Sequence, residues 1–311
     1  MVLKISIIIP AFNAEKYLAR TLDSVCGQSF QDWQLVVVND GSTDCTWDII
    51  RVYCKRDPRI RGLNLPRKGC SGARNSGLNS CSPSPYVIFL DADDTWELHA
   101  LGTLHAALES EANAVAVYGL CRYIDAKDTH IRLGELENDM RNREAYINGQ
   151  ILRIPEETYT SFNSFSVICC IRTPGAVLFR REVVEHISGF DTDLTQGEDW
   201  DLYIRASRAG RFRLLDRVVL NYRLHDKNAS SHTISRRGGL RQVVLKTMQS
   251  PEDSLEQKEI LCKCYTAAQR FFMVQKFKFA VSSISKREWF DSAVQLKYAA
   301  GHLAKMVRGQ P

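Results

Sequence analysis

The feature that most constrains the fold is an alternation of short apolar segments with helical segments in the first third of the chain. The segments "ISIIIPAF", "WQLVVVND", "IRGLNL" and "YVIFL" are apolar and of strand length, and the sequence between them places apolar residues at helical spacing. Strands that are apolar on both faces are typical of parallel sheets, in which the connecting helices cover both sides. The sequence therefore predicts an α/β fold with a mostly parallel central sheet and helices on both faces.

Composition and cysteine spacing restrict the class of protein further. With 44% hydrophobic and 25% charged residues, the 311-residue chain has the composition of a globular protein. No apolar run approaches the roughly 18 residues that a membrane-spanning helix requires, and "MVLKISIIIP" does not have the pattern of a signal peptide. Ten cysteines without a C-x-x-C pair argue against zinc sites and a disulfide framework. We therefore expect reduced cysteines and a cytoplasmic protein.

Positive charge is concentrated in the last quarter of the chain. Residues 236–311 contain 14 Lys and Arg against 6 Asp and Glu, a net charge of +8, whereas the other 235 residues carry −3. The pattern there is helical, and Ser285 with Glu288 forms a capping-box signature. Two interpretations of this basic tail stay open: a helical hairpin packed on the main domain, or a basic and aromatic face on anionic lipid headgroups of the inner membrane surface. Nucleic acid is not an expected partner, because only the charge of the tail supports it.

Three carboxylates follow the apolar strand in "YVIFLDADD", which spans residues 86–94. Alternate residues of an extended chain point the same way, so Asp91 and Asp93 are placed to converge on one point. Ligands of open parallel sheets bind at the carboxyl ends of the strands. A divalent cation such as Mg²⁺ or Mn²⁺ would neutralise the repulsion and leave positions for phosphate oxygens. The alternative is a polar loop whose acids are solvated or cap a helix.

Two further segments place polar groups near the same edge. "VVVNDGSTD" puts Asn39, Asp40 and Gly41 at another strand end, where a carboxylate suits a nucleobase N–H or a ribose hydroxyl. The alternative is an Asp-Gly turn without a ligand. "GCSGARNSGL" is a glycine-rich turn that enters a helix, and its Arg74 is either a phosphate- or base-contacting residue or a surface arginine.

Motifs of other nucleotide-binding and hydrolytic classes are missing. No G-x-G-x-x-G follows the first strand, which argues against a dinucleotide-binding domain. The sequence contains neither the P-loop pattern G-x-x-x-x-G-K-[ST] nor the G-x-S-x-G nucleophile elbow. A nucleotidyltransferase is also disfavoured, because "PAFNAEKY" after the first strand has no glycine-rich, arginine-containing loop.

Seven segments in order resemble the family 2 glycosyltransferases of the GT-A fold. These segments are "SIIIPAFNAEKYLARTLDSVCGQSF", "LVVVNDGSTDCT", "GCSGARNSGL", "FLDADD", "GAVLFRREVVEHISGFD", "GEDWDLYIRASRAG" and "NYRLH". The resemblance covers about residues 4–230. Each segment is weakly specific by itself, and the ordered set is specific.

The resemblance implies a nucleotide-sugar site with a divalent metal, Mn²⁺ or Mg²⁺. The implied nucleotide-sugar-binding residues are Pro10, Ala11, Phe12, Glu15, Asp40, Arg74, Asp91, Ala92 and Asp93. In this interpretation Asp40 contacts the base, Asp91 lies near the ribose, and Asp93 is the metal ligand through which the diphosphate is held. His225 in "NYRLHD" matches a further metal-ligand position, with a structural histidine as the alternative.

The resemblance also implies the catalytic pair in "GEDWDL". Asp199 matches the general base that takes the proton of the acceptor hydroxyl, and Glu198 orients the acceptor or Asp199. By itself, the motif would equally suit an acidic helix N-terminus. Trp200 is either an acceptor platform or a packing residue. The Q-x-x-R-W motif of processive members is missing, which favours transfer of single sugars.

These features together predict an inverting, metal-dependent glycosyltransferase. We expect a catalytic domain over residues 1–235, with a nucleotide-sugar half over about 1–115 and an acceptor half over about 116–235, and a helical tail over 236–311. The expected reaction moves one sugar from a nucleotide-diphosphate sugar, with UDP as the favoured nucleotide, to a glycan or lipid-linked acceptor of a surface polysaccharide or glycolipid. The alternative from another class is a non-catalytic sugar-nucleotide-binding module whose tail docks on a partner or a membrane.

Overall fold

A computed structural model describes most of the first 226 residues and a few beyond them. The described residues are 3–131, 144–147, 150–153, 159–167, 169–194, 196–226, 242–243, 245–247 and 258–259. The predicted domain boundary after residue 235, the capping box at Ser285 and most of the predicted helical tail lie outside the described residues. Within it, no helix has the length and apolar character that crossing a membrane requires.

The chain divides into two compact units. The first comprises Met1–Glu144 and Ile154–Ser250, and the second comprises Ala145–Arg153 and Pro251–Pro311. The main sheet and all site residues discussed below belong to the first unit.

Strands account for much of the described structure. They are β1 (Ile5–Ala11), β2 (Trp33–Asp40), β3 (Ile60–Leu65), β4 (Tyr86–Phe89), β5 (Thr95–Trp96), β6 (Ala114–Ile124), β7 (Glu144–Ile147), β8 (Gln150–Arg153), β9 (Tyr159–Thr160), β10 (Val177–Arg180) and β11 (Arg211–Arg223). The four apolar segments of the first third of the chain form β1 to β4, as predicted. Strands β7 and β8 pair with each other in a separate two-stranded sheet.

Helices connect the strands of the first unit. They are α1 (Leu18–Cys26), α2 (Thr46–Arg56), α3 (Gly69–Ser80), α4 (Ala100–Glu109), α5 (Phe162–Val167), α6 (Arg181–His186) and α7 (Glu198–Ala206), with a 3₁₀ turn at Pro174–Ala176.

The main sheet has nine strands in the order β3-β2-β1-β4-β10-β6-β11-β5, with β9 also paired to β11. Strands β1 to β4, β6 and β11 run in one direction, and β5, β9 and β10 run in the other. The prediction of a mostly parallel sheet is therefore confirmed. The antiparallel β10 lies between β4 and β6 and joins them within one sheet.

Helices pack on both faces of this sheet. Leu22 of α1 belongs to the buried cluster that includes Ile7 of β1. On α3, a Cβ built at Gly77 would lie only 2.5 Å from the Ile8 side chain. Because successive strand residues point to opposite faces, α1 and α3 cover opposite sides of β1. The absence of a side chain at Gly77 lets α3 approach the sheet closely, which places the start of α3 beside the sheet edge that carries the site.

Candidate active site

The predicted motifs meet at one edge of the sheet because three parallel strands end there. Ala11 at the end of β1 is in register with Asn39 of β2, and Ile8 is in register with Phe89 of β4. Asp40 ends β2, and Asp91 follows β4 after one residue. Carboxyl ends of neighbouring parallel strands lie at a common edge, so residues far apart in sequence share one cleft.

Asp40 is held by the loop that enters α3. Its side chain is buried, and Oδ1 accepts a hydrogen bond from the Lys68 backbone N–H at 2.6 Å. Gly41 has φ of +72°, and a Cβ there would lie 2.9 Å from the Arg67 nitrogen. A side chain at Gly41 would therefore be strained by its backbone and crowded by this loop. The close approach fixes the loop over the end of β2 and orients the Asp40 carboxylate.

The residues after β1 form an exposed edge of the cleft. Phe12 is 41% exposed, and the Arg67 guanidinium lies 3.3 Å from the centre of its ring. Glu15 accepts a hydrogen bond from the Cys45 backbone N–H at 3.0 Å, which ties this segment to the start of α2. Ala11 is buried in the core, so its backbone rather than its methyl group faces the edge. Sequence reasoning did not single out Arg67, because an arginine in a polar loop carries no local signal.

Arg74 connects the D-x-D segment to the start of α7. Its side chain is only 3% exposed. One guanidinium nitrogen donates to Asp91 Oδ1 at 2.7 Å, and the other donates to Glu198 Oε1 at 2.9 Å. The second oxygen of Asp91 accepts from the Thr173 hydroxyl at 3.1 Å. The surface-arginine alternative is therefore wrong, and the structure brings three predicted site residues into one network.

The D-x-D segment is followed by a fully buried acid. Burial raises the pKa of Asp91, although the neighbouring Arg74 opposes the shift. Burial, with the charges of Asp93 and Asp91, raises the pKa of Asp94 well above its usual range. Ala92 is buried, and its carbonyl accepts from the Thr21 hydroxyl at 2.9 Å. Asp94 is thus shielded from water beneath the segment, whereas Asp91 keeps partial access to solvent.

Asp93 and His225 form the part of the site that suits a metal. Asp93 Oδ2 and His225 Nε2 are 2.9 Å apart, and both side chains are partly exposed to the cleft. Among the described residues, no group of three or more His, Cys, Asp and Glu side chains is placed to hold a cation. A carboxylate and an imidazole suit Mn²⁺ or Mg²⁺ when phosphate oxygens and water complete the coordination. The donor set therefore fits a metal that is shared between the protein and a diphosphate.

Glu198 and Asp199 are presented by the start of α7. Gly197, with φ of +76°, precedes the helix and turns the chain into it. Asp199 Oδ1 accepts from the Trp200 backbone N–H at 2.7 Å. Burial, reinforced by the adjacent Glu198 carboxylate, raises the pKa of Asp199 to about 7. A carboxylate with this pKa is suited to accept a proton near neutral pH.

The residues after Asp199 hold α7 in place. Trp200 is buried, and its indole N–H donates to the Phe165 carbonyl at 2.7 Å. The structure therefore assigns Trp200 to packing rather than to an acceptor platform. Asp201 is also buried and forms an ion pair with Arg205 at 2.6 Å. Asp201 thus serves the packing of this helix, whereas Glu198 pairs with Arg74 and Asp199 is adjacent to Glu198 in sequence.

Two other residues lie near the acids. No sequence pattern indicated Thr173, and the sequence left Arg223 either near the diphosphate or on the surface; the burial of Arg223 excludes the surface. Thr173 contacts Asp91 from the turn before β10, more than 80 residues away in sequence. Arg223 is fully buried, and its Nε donates to the backbone carbonyl of Asp93 at 2.7 Å. Arg223 stands two residues before His225 at the end of a strand. In an extended chain this spacing places both side chains on the same side, and it is the one local feature that indicates a role for Arg223 near the site.

Comparison with known proteins gives the family. The sequence model described as "Glycosyl transferase family 2" matches residues 6–188. The uncharacterized glycosyltransferase EpsJ of Bacillus subtilis is 30% identical over 230 residues, which cover 72% of this chain and 62% of EpsJ. Chondroitin synthase of Escherichia coli is 28% identical over 226 residues, which cover 73% of this chain but only 30% of that protein. The chain thus matches less than two thirds of the length of either relative.

Solved structures agree with the architecture. TarS 1–349 of S. aureus in complex with UDP-GlcNAc has a TM-score of 0.64 at 19% identity, covering 97% of this chain and 81% of that one. The mannosyltransferase PcManGT of Pyrobaculum calidifontis, in complex with GDP-Man and Mn²⁺, has a TM-score of 0.64 at 18% identity, covering 100% of this chain and 77% of that one. At these identities the similarity establishes the fold, which is GT-A. The family model covers more than half of the chain, and the chain therefore belongs to glycosyl transferase family 2.

Proposed function

We propose that this glycosyltransferase moves one sugar from a UDP-sugar to a hydroxyl of a glycan or lipid-linked acceptor, with inversion at the anomeric carbon and with Mn²⁺ or Mg²⁺ bound. The observation that carries the proposal is the Arg74 bridge. Arg74 contacts Asp91 of the D-x-D segment and Glu198 beside Asp199, which supports the assignment of the donor acids and the base to a single site.

The proposed chemistry assigns a task to each side of this site. Asp199 takes the proton of the acceptor hydroxyl while the acceptor oxygen forms a bond to the anomeric carbon. The bond from that carbon to the diphosphate oxygen breaks at the same time, and the nucleoside diphosphate leaves. Asp93 and His225 would hold the metal, which supplies positive charge to the leaving diphosphate. Arg74 keeps Glu198 and Asp91 at a constant separation, so that the acceptor and the donor meet in a reactive geometry.

The nucleotide and the acceptor are the less specific parts of the proposal. TarS has been crystallised with UDP and with UDP-GlcNAc, whereas PcManGT has been crystallised with GDP-Man. Relatives named for chondroitin, hyaluronan and teichuronic acid support a polysaccharide product. The net charge of +8 in residues 236–311 supports contact with an anionic membrane surface, where a lipid-linked acceptor would lie.

Calorimetric titration with UDP, GDP, dTDP and CDP tests the donor assignment. With Mn²⁺ present we expect UDP to bind, and EDTA to abolish the binding, because the carboxylates of the site repel a free diphosphate. Binding of GDP in place of UDP would overturn the nucleotide assignment. Binding that persists in EDTA would overturn the assignment of a metal to the site. A transfer or donor-hydrolysis assay then separates an enzyme from a non-catalytic binding module.

The pKa of Asp199 predicts the pH dependence of transfer. Since the base must be deprotonated, the rate should rise about tenfold per pH unit below pH 7 and level off above it. The Glu198 charge contributes to the raised pKa of Asp199. In Glu198→Gln, the increase of the transfer rate with pH should therefore occur at lower pH. Rates of single-turnover transfer between pH 5.5 and 8.5 give the comparison. A rate that does not change over this range would contradict the assignment of Asp199.

A further inference from the structure

Arg223 is a charged side chain with no exposure to solvent at the end of β11. Its Nε donates to the backbone carbonyl of Asp93 at 2.7 Å. Its own backbone N–H donates to Asp94 Oδ1 at 2.9 Å. Arg223 therefore holds the D-x-D loop at two consecutive residues.

The same guanidinium reaches a second loop. One terminal nitrogen donates to the carbonyl of Asp125 at 3.0 Å, and the other forms an ion pair with Asp128 at 2.5 Å. These residues form the turn after β6, in which Asp128 has φ of +68°. Arg20 of α1 binds Asp128 from the solvent side at 2.8 Å. Arg223 thus connects the D-x-D loop to the turn where the acceptor half of the chain begins.

The position of Arg223 also relates it to His225. The two residues are separated by Leu224, which donates its N–H to Ile124 and continues the pairing with β6. The Tyr17 ring packs against both side chains, with 4.9 Å between its centroid and that of His225 and 4.8 Å to the Arg223 guanidinium. The backbone of Asp93 and the imidazole that faces its carboxylate are therefore positioned by the same few residues.

Stability alone does not account for a buried arginine at this position. Transfer of a guanidinium from water into the interior carries a large desolvation penalty, and buried ion pairs are often no more stabilising than apolar residues of similar volume. The planar fork of arginine instead offers directed hydrogen bonds to several acceptors at once, which lysine does not. Two hydrogen bonds of the Arg223 guanidinium end on main-chain carbonyls, those of Asp93 and Asp125, one in each loop. Contacts of this kind fix the backbone of both loops.

We propose that Arg223 is a positioning residue for the metal ligand Asp93: by holding the Asp93 carbonyl and the turn at 125–128, it keeps the Asp93 carboxylate opposite His225. This inference rests on the proposed function, because it assigns Asp93 to the metal. It predicts that metal-dependent donor binding depends on a side chain that touches neither the metal nor the donor.

Hydrogen–deuterium exchange without any ligand tests the contact itself. Arg223→Lys retains the positive charge but loses the planar guanidinium that binds both loops. Backbone amides of residues 90–96 and 123–131 should therefore exchange about tenfold faster than in the wild type. This factor is expected when one charged hydrogen bond is lost. Arg122→Lys is the matched control, because Arg122 lies on the neighbouring strand in a partly exposed ion pair with Glu97. Unchanged exchange of 90–96 in Arg223→Lys would overturn the proposal.

A second variant keeps the test decisive if Arg223→Lys does not fold. Asp128→Ala removes a partly exposed partner of Arg223 and leaves the arginine in place. If Arg223 connects the two loops, this change should also accelerate exchange at 90–96, and not only at 123–131. An effect confined to 123–131 would show that the loops are independent, which would overturn the proposal.

Titration of UDP and Mn²⁺ supplies the functional readout. The Mn²⁺ concentration that supports half-maximal UDP binding should rise about 10- to 100-fold in Arg223→Lys, as for other groups that orient metal ligands, and should not change in Arg122→Lys. Equal Mn²⁺ dependence in Arg223→Lys and wild type would contradict the positioning role. Failure of the wild type to bind UDP would count against the proposed donor, whereas the exchange experiment would still decide whether Arg223 holds the loop.

Discussion

Asp199→Asn is expected to lower the rate of sugar transfer by about 10²- to 10⁴-fold, the contribution of a well-placed general base. The amide has nearly the same shape as the carboxylate but does not take the proton of the acceptor hydroxyl. Its oxygen still accepts the hydrogen bond from the Trp200 backbone N–H, so α7 should keep its position. Donor binding should change little, because Asp93 and Arg74 are untouched. Single-turnover transfer and calorimetric titration with UDP and Mn²⁺ measure the two effects separately.

Asp193→Asn is the matched control for this substitution. Asp193 is an exposed residue six positions before Asp199 with no contact to the site acids among the described hydrogen bonds, so its replacement should leave both transfer and donor binding unchanged. Near wild-type turnover in Asp199→Asn would mean that another group takes the proton. A parallel loss of donor binding would instead assign Asp199 to the donor side of the site.

Asp93→Ala is expected to weaken Mn²⁺-dependent UDP binding by on the order of 100-fold, or about 2.7 kcal/mol. The substitution removes one of the two protein groups that suit the metal and leaves His225 as the other. It keeps the backbone carbonyl that Arg223 binds, so the loop should retain its main-chain contacts. Titrations of UDP at several Mn²⁺ concentrations separate a loss of metal affinity from a loss of nucleotide affinity.

Asp48→Ala provides the comparison for this change. Asp48 is an exposed acid of α2 whose ion pair with Arg51 lies on the surface, and surface pairs of this kind contribute little. Its removal should not affect nucleotide binding. If Asp93→Ala bound UDP with wild-type affinity and EDTA sensitivity, Asp93 would not be a metal ligand.

Sequence patterns predicted the framework of the fold well because they depend on near neighbours. The apolar runs of β1 to β4 mark strands that are buried on both faces, and helical spacing marks α1. Since parallel strands end at a common edge, the order of strands and acids along the chain was sufficient to place Asp40 and Asp91 at that edge. The resemblance to family 2 glycosyltransferases added Glu198 and Asp199, which local patterns alone would have assigned to an ordinary helix start.

Other assignments required the tertiary structure because they depend on burial and on partners far away in sequence. The sequence around Trp200 suits a platform and a packing residue equally well, and its hydrogen bond to Phe165 is what distinguishes the two. Thr173 gives no sequence signal, since its contact with Asp91 arises only when the antiparallel β10 enters the sheet beside β4.

The amino-acid order alone was enough for the α/β class, the family and the acids at the sheet edge, because hydrophobic periodicity and motifs can be read along the chain. The three-dimensional fold was needed to find that Arg74 bridges Asp91 and Glu198, that Arg223 binds the Asp93 carbonyl, and that burial raises the pKa of Asp199 to about 7. Ion pairing and desolvation depend on distances of a few ångströms between groups that are more than 100 residues apart along the chain, as Arg74 and Glu198 are.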